Sequence, residues 1–527
     1  MQGLQKCCKE GRSCVLSKRE NMLKTAGFMA IATLLAKVCG LVREMLIAAF
    51  FSTGYLGEAY LAATQLPMTL FDIVIGGVIS ASFIPIFNDL LQKKNREEAM
   101  RFANNFIGMI LTVCTLITVV GILFSDQLIT LLAPDFNAET HQLASQLSMI
   151  MFPMIIFTGL AFSFVGILQS FGEFNIPAVM SLLSNLCVIL YFPLFGKRFG
   201  VHGLAVAMLI SWSVQVFVQI PALRRFSFHF RPRLHMTDPD IRRALVLAGP
   251  MLVSTWVQPL YSIVNTRIAS GISGAVATLN YANRLYIVVT GVFSFVVTNL
   301  IFPKLSRANS AENQEESRKL VLISLKSVAM VILPLMAGFI LLSEPIISVI
   351  YEHGRFDATK ITAAALSCYS VGMIGLSVNE VLSKAFFSMQ DSKTPMVNAI
   401  LSMLFNILLA YTLSPAFGVC GLALASAGGS TVNAILNDYC MRKKHGKICD
   451  MRDIADFIKI GFSALFMSAA VFGVRELLKM KLSGGLVSNL ILGGGCAVAG
   501  VIVYAAALYL LKETEIRDLL KGGKKHD

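Results

Sequence analysis

The chain has 527 residues, of which 55% are hydrophobic and only 14% charged, with a mean hydropathy of +0.69. A soluble domain carries roughly 25% charged residues, so this composition excludes a soluble multidomain protein, whose surfaces need more charge than is present. Apolar runs that are continuous rather than alternating exclude an outer-membrane barrel, and the net charge of +14 must be judged by where it falls.

Windows of about 17–25 apolar residues, the length that crosses a bilayer, recur along almost the whole chain. We read fourteen transmembrane helices, at about 25–51, 60–86, 102–124, 140–170, 175–196, 201–223, 244–270, 275–303, 319–342, 359–388, 394–413, 418–440, 453–474 and 485–511. With both termini cytoplasmic, 32 of the 45 Lys and Arg residues lie on the inner side, 7 in outer loops and 6 within spans. That bias is the positive-inside pattern of a multi-pass membrane protein. The basic loops read as orientation signals and contacts to anionic lipid rather than to nucleic acid. The first 21 residues lack the apolar core of a signal peptide, and Met22 serves equally well as a start. The eleven cysteines show neither a CxxC pair nor metal-ligand spacing, so no metal site or disulfide framework is implied.

An internal repeat organises the spans. Phe199-Gly200-Val201-His202-Gly203-Leu204-Ala205-Val206-Ala207 recurs as Phe417-Gly418-Val419-Cys420-Gly421-Leu422-Ala423-Leu424-Ala425, an offset of 218 residues. The same offset takes Pro85 to Pro303, Pro177 to Pro395 and Arg224 to Arg442. The expected organisation is therefore a cytoplasmic tail (1–24), an N-lobe of six spans (25–225), a cytoplasmic linker (226–242), a C-lobe of six spans (243–443), two additional spans (453–511) and a cytoplasmic tail (512–527). Six crossings return the chain to its starting side, so the two lobes share one orientation, as in carriers that hold substrate in a central cavity between parallel repeats. The expected fold class is thus an all-α polytopic membrane protein.

Charges inside spans cost about 2.5–3.5 kcal/mol each at the bilayer centre and normally face protein or water. The basic ones are Lys37, Arg43, Arg267, Arg284, Lys326 and Lys459; acidic ones include Glu44, Asp72 and Glu380, with Glu58 where the second span begins. At the 218 offset Lys37 corresponds to Thr255, Arg43 to Tyr261, Asp72 to Thr290 and Arg284 to Leu66. A charge needed only to build a lobe would recur in both, so the unrepeated ones point to function. Ser254, Gln258, Tyr261, Ser262 and Asn265 share one helical face of span 7, and Asn280, Arg284 and Gly291 share a stripe of span 8 beside Asn283. Span 2 adds Gln65, Thr69, Asp72 and Gly76. Structural readings compete: Lys37 with Glu44 and Arg43 with Asp72 could be internal ion pairs. Within span 1, Arg43 points about 100° from Glu44. Arg267, Lys326 and Lys459 are expected to snorkel to the interface, and Glu380 with Lys384 to form a helix pair. Small-residue runs, Gly76-Gly77 and Ala425 to Ser430, allow close helix approach. Arg284, with two Asn nearby, is the strongest candidate for a ligand-binding cation. A guanidinium matches phosphate through its planar fork of donors.

Gly40-Leu41-Val42-Arg43-Glu44, Glu58-Ala59-Tyr60, Leu66-Pro67, Asn280-Tyr281-Ala282-Asn283-Arg284-Leu285 and Ile301-Phe302-Pro303-Lys304-Leu305-Ser306 resemble the motifs of the MurJ (or MviN) lipid II flippases. That family belongs to the superfamily of multidrug and oligosaccharide-lipid exporters, and the resemblance extends over the whole membrane portion. It implies that Arg43 and Arg284 lie in a central cavity and are needed for transport, with Lys37 where arginine is common and Glu58 at an acidic position. Members with a Leu-Leu-Arg-Arg run carry a further cavity arginine in span 2. This sequence has Leu70-Phe71-Asp72 there, so its cavity is less basic.

The resemblance implies a flippase that moves undecaprenyl-diphosphate-linked peptidoglycan precursor to the outer leaflet by alternating access. Lys37, Arg43 and Arg284 would serve the diphosphate, and Glu44, Glu58, Asp72, Gln258, Asn265, Asn280 and Asn283 would line or gate the cavity. The extra spans would guide the lipid tail. No cofactor is called for; an ion gradient or the membrane potential, worth about 2.3 kcal/mol per charge per 100 mV, is the available drive. Two rivals are a flippase for another polyprenyl-linked glycan and a cation-coupled multidrug exporter, the latter opposed by the basic set. An enzyme is disfavoured, since the spans carry no nucleophile–base pair or metal-ligand cluster.

Overall fold

The computed structural model describes residues 27–29, 31–75, 78–231, 233–235, 237–310, 313–480 and 485–511. The expected tails at 1–24 and 512–527 and the Gly76-Gly77 pair lie outside them, as does the side chain of Ser254. All the regular secondary structure among the described residues is helical, without strands. Helix α1 covers 31–51 and is followed by α2 (Tyr55–Val74), α3 (Ile84–Lys93), α4 (Arg96–Leu123), α5 (Ser125–Leu132), α6 (Ala138–Met151), α7 (Met154–Ser170), α8 (Asn175–Tyr191) and α9 (Lys197–Arg225). Then come α10 (Pro239–Thr255), α11 (Val257–Ala269), α12 (Ala275–Ser310), α13 (Gln314–Leu341), α14 (Ser343–Tyr351), α15 (Thr359–Ser370), α16 (Met373–Ser388), α17 (Lys393–His445), α18 (Met451–Lys479) and α19 (Leu486–Leu510).

The 218-residue repeat is written into the backbone. Helices α4 and α13 are both 28 residues long and start and stop 218 residues apart. Each is capped by an asparagine at the equivalent place. Asn95 Oδ1 accepts the Glu98 amide at 2.8 Å, and Asn313 Oδ1 accepts that of Glu316 at 3.1 Å, which satisfies an N–H that the first helical turn would leave open. Helices α6 and α7 meet at a 41° bend, and their counterparts α15 and α16 at 43°. Gly200 (φ 52°, ψ −141°) and Gly418 (φ 55°, ψ −129°) turn the chain at equivalent points. Side-chain-bearing residues are strongly disfavoured in that backbone region.

Those glycines explain two lengths that no single crossing allows. A continuous 53-residue helix would be about 80 Å long, against a hydrocarbon core of about 30 Å. Helix α17 must therefore cross, turn at Gly418 and return, and α8–α9 does the same at Gly200. Among the described residues six helices are long and apolar enough to span, or eight when each bent pair counts once. The expected fourteen is not reached by that measure. Helices α10 and α11 are individually short, at 17 and 13 residues, and α2 is interrupted in apolarity by Glu58, Gln65 and Asp72.

Two compact units emerge. The first comprises residues 1–47, 59–132 and 137–259, and the second residues 48–58, 133–136 and 260–527. The first is built on an aromatic core in which Phe83 stacks on Phe87 and Phe102, with Phe106 tilted against it at 5.0 Å. In the second, Gly372 and Gly375 let α15–α16 press on α17. A Cβ on either would sit 2.6–2.7 Å from the Cα of Ala427 or Thr431, the close approach expected of the small-residue run.

The additional helices α18 and α19 dock on α13 and α14 of the second unit. Met467, Val471, Leu492 and Cys496 form a buried cluster with Leu342, and Tyr504 Oη donates to the Met330 carbonyl at 2.7 Å. Lys326, expected to snorkel, is instead buried. Its Nζ lies 2.9 Å from Asp453 and 2.9 Å from Asp456, and Lys459 pairs with Asp456 at 3.0 Å. The two aspartates supply what the interface would otherwise have to. Lys384 lies 5.9 Å over the Phe302 ring, and no ion pair with Glu380 occurs among the described residues.

Candidate functional site

In the first unit the site is centred on Arg43. Its Nη2 donates to Glu44 Oε1 at 2.7 Å and its Nη1 to Asn185 Oδ1 at 2.9 Å. Asn185 in turn donates Nδ2 to the Ala36 carbonyl at 3.1 Å, one turn and more up α1. Gly40 lies beside this pair, and a Cβ there would stand in ordinary contact with Asn185 Nδ2 at 3.6 Å. Adjacent residues on a helix point about 100° apart, yet the arginine side chain is long enough to bend back onto its neighbour. Arg43 is thus paired with Glu44 rather than with Asp72. Arg43 Nε is buried and has no hydrogen-bond partner among the described residues, so the fork retains donor capacity.

Lys37 and Asp72 are exposed on α1 and α2, and neither makes an ion pair among the described residues. Lys37 is therefore not bonded to Glu44. Phe71 is buried and stacks on Phe162 of α7 with ring centroids 6.1 Å apart. The residue that the resemblance sets against an arginine of some members is here a core side chain. Gln258 is exposed and belongs to this unit, while Asn265 belongs to the second. The polar face expected to run unbroken along span 7 is interrupted at Trp256, between α10 and α11, whose indole Nε1 donates to the Ile73 carbonyl at 2.6 Å.

In the second unit Glu58 is buried, and its carboxylate accepts the Val276 amide at 3.3 Å. It thereby caps the N-terminus of α12 from outside, where a negative charge is favoured by the helix dipole. The strand of chain before it is sewn to the same unit. Ser52 Oγ donates to Asp357 Oδ1 at 2.7 Å, the Arg355 amide to the Ala49 carbonyl at 2.8 Å, and Tyr281 Oη to the Ser52 carbonyl at 3.3 Å. Helix α12, so anchored, carries Asn280, Asn283 and Arg284. Asn280 has a buried Oδ1 without a partner among the described residues, and Asn283 is half-buried. Arg284 is exposed and makes no hydrogen bond or ion pair among the described residues.

Helix α11 joins a second polar cluster. Asn406 Nδ2 donates to the Tyr261 hydroxyl at 3.5 Å, and Asn265 Oδ1 and Asn406 Oδ1 are buried without partners among the described residues. Tyr286 stacks on Tyr369 with ring centroids 5.6 Å apart. Nearby in the fold, buried Asn398 and Asn437 and half-buried Asn379 form an amide chain at 2.8 and 2.6 Å. Sequence reasoning missed Asn185, Asn406 and this amide chain. The signal for Asn185 was available: at the repeat offset its counterpart is Met403, so the rule applied to charges would have found it had it been applied to amides. Among the described residues no group of His, Cys, Asp or Glu could hold a metal ion.

The chain matches the family model described as "Lipid II flippase MurJ" over residues 47–493. It belongs to that family. It is 28% identical over 504 residues to a "Probable lipid II flippase MurJ" of Rickettsia prowazekii (strain Madrid E), covering 93% of this chain and 98% of the relative. It is 27% identical over 434 residues to the "Lipid II flippase MurJ" of Burkholderia cenocepacia (strain J2315 among its designations), covering 80% and 83%. Among solved structures, "Lipid II flippase MurJ, inward closed conformation" superposes with a TM-score of 0.78 at 24% identity, covering 93% of this chain and 99% of that one. An inward-facing multidrug transporter of the MATE family reaches 0.66 at 17% identity, covering 80% and 98%. The multidrug exporters share the fold, and the family model separates this chain from them.

Proposed function

We infer that this chain is a lipid II flippase, carrying undecaprenyl-diphosphate-linked peptidoglycan precursor from the inner to the outer leaflet. The observation that carries the reading is the family match across residues 47–493. The physical task is to pass a hydrated, doubly phosphorylated sugar-peptide headgroup through a layer where each charge is costly. Cations inside the apolar helices meet that need. Arg284 and Lys37 are the two whose charge is not neutralised by an ion pair among the described residues, and we assign them the first contacts with the diphosphate. Arg43 plays a different part. Glu44 and Asn185 hold its guanidinium in place, so substrate must either share it through the unused Nε or displace a partner, which keeps binding weak enough for release. Glu58 acts by fixing the start of α12 and hence the height of Arg284. Alternating access between the two repeats, with both termini cytoplasmic, completes the cycle.

Expression in a bacterium depleted of its own lipid II flippase tests the reading. Restored growth together with restored lipid II on the outer leaflet is the expected outcome. A correctly inserted protein that restores neither would transfer the assignment to another polyprenyl-linked glycan.

A further inference from the structure

The second unit contains a cavity of ≈ 430 Å³ where the end of α12, the start of α13, the turn before α17 and the chain just beyond α17 meet. This is the end of the unit that the positive-inside pattern assigns to the cytoplasm, and nothing in the transport reading uses it. Its lining includes three basic side chains, Arg318, His445 and Lys447, and no acidic one. Val321, Met441 and Ile448, all buried, form an apolar floor.

Three features show that the cavity is built to hold an anion. Ser317 is 3% exposed, lines the cavity, and has an Oγ with no hydrogen-bond partner among the described residues; a buried hydroxyl left unpaired is costly unless a ligand meets it. The N-terminus of the 28-residue α13 opens here at Gln314, bringing the positive end of its dipole, partly offset by the first-turn carboxylates Glu315 and Glu316, which do not line the cavity. The basic side chains are also oriented. Arg318 is pinned by Nε to the Ile448 carbonyl at 3.1 Å and by Nη2 to Asp450 at 2.6 Å, and the His445 ring packs edge-on against Phe386 at 6.4 Å.

We propose that this cavity binds the phosphate headgroup of an anionic phospholipid of the cytoplasmic leaflet. The charge set and the helix terminus select phosphate. The apolar floor, and a position at the cytoplasmic ends of apolar helices, select a lipid over a soluble ion. The volume suits a glycerophosphate group within the usual range of ligand cavities and is too small for a sugar-peptide headgroup, so the site is separate from that of the transported substrate.

The test uses the full-length protein in nanodiscs of either phosphatidylglycerol or phosphatidylcholine, with retained lipid counted by native mass spectrometry after gentle extraction. Arg318 is left intact because it also holds the chain before α18. The His445→Ala/Lys447→Ala double variant is expected to retain phosphatidylglycerol roughly tenfold less well, as removal of one lysine cation and one ring hydrogen-bonding group from one phosphate implies. Ser317→Val is expected to lose it by a few-fold. Thermal unfolding in phosphatidylcholine nanodiscs separates this from misfolding, and variants that unfold at the wild-type temperature yet retain phosphatidylglycerol as well as wild type overturn the proposal. Displacement of the lipid by millimolar inorganic phosphate overturns the choice of a lipid over a soluble phosphate.

Discussion

The two repeats share a skeleton and differ in chemistry. Caps at Asn95 and Asn313, bends of 41° and 43°, and turns at Gly200 and Gly418 recur at one offset. Every site residue with a charge is unique to its repeat: Arg43 answers to Tyr261, and Arg284 to Leu66. Even the polar centres diverge, with an arginine held by an acid and an amide in the first repeat and a tyrosine hydroxyl met by the Asn406 amide in the second. Duplication preserved what makes the chain turn and start helices. It left free the charged residues of the proposed site.

That contrast can be broken at several points. The largest effect is expected where the second repeat has gained a partner that the first lacks. Lys326→Met leaves Asp453 and Asp456 facing a buried interface, and breaking such a pair costs roughly 3–5 kcal/mol. Helices α18 and α19 should then become protease-sensitive in a gel assay while the earlier spans stay protected; unchanged protection would remove the ion cluster from the docking account. Next comes Asn185→Met, which puts the counterpart residue of the second repeat into the first. Loss of a hydrogen bond to a charged group is worth about 1.5–3 kcal/mol, and transport is expected to fall with expression unchanged. Full transport would make the Asn185 contact incidental. Gly200→Ala and Gly418→Ala should each cost roughly 1–3 kcal/mol through backbone strain, read as equal drops in the thermal midpoint. Unequal drops would show that the two turns are not equivalent.

The smallest effect concerns the turn before α17. Partial burial raises the Asp391 carboxyl, but the Lys444 ammonium and the Thr394 hydroxyl and amide outweigh it and bring it down to about 2. A carboxyl depressed in the folded state stabilises it above its ordinary value near 3.9, and the gain is lost as pH falls through about 2. Wild type should therefore lose its advantage over Asp391→Asn between about pH 4 and 2, a modest shift because the group is near the surface. An advantage that persists at pH 2 would contradict the pairing.

Much of this was legible in the chain. Unbroken apolar runs dictated helices, and an offset shared by short motifs exposed the duplication before any coordinates. Glu58, Arg43 and Arg284 were singled out because a charge is costly in hydrocarbon. What periodicity could not reveal were contacts made across helices. The bending of Arg43 onto its neighbour Glu44, the bond to Asn185 142 residues away, and the Lys326 cluster all depend on which helix packs on which. Side-chain reach misled in the same way: Lys326 looked long enough to snorkel, yet two aspartates of α18 hold it inside. Trp256 broke a polar stripe that had read as continuous, because seven-residue spacing says nothing of a local break in the helix.

The central claim is that unrepeated cations within the lobes handle the diphosphate. The direct measurement is lipid II exposure on the outer leaflet of a flippase-depleted bacterium carrying wild type, Arg43→Ala or Arg284→Ala at matched expression. The account predicts exposure with wild type and loss in both variants, with Arg284→Ala, which removes a cation held by no ion pair, at least as severe as Arg43→Ala. Undiminished exposure in both variants would contradict it, leaving the fold and the family in place but assigning substrate recognition elsewhere.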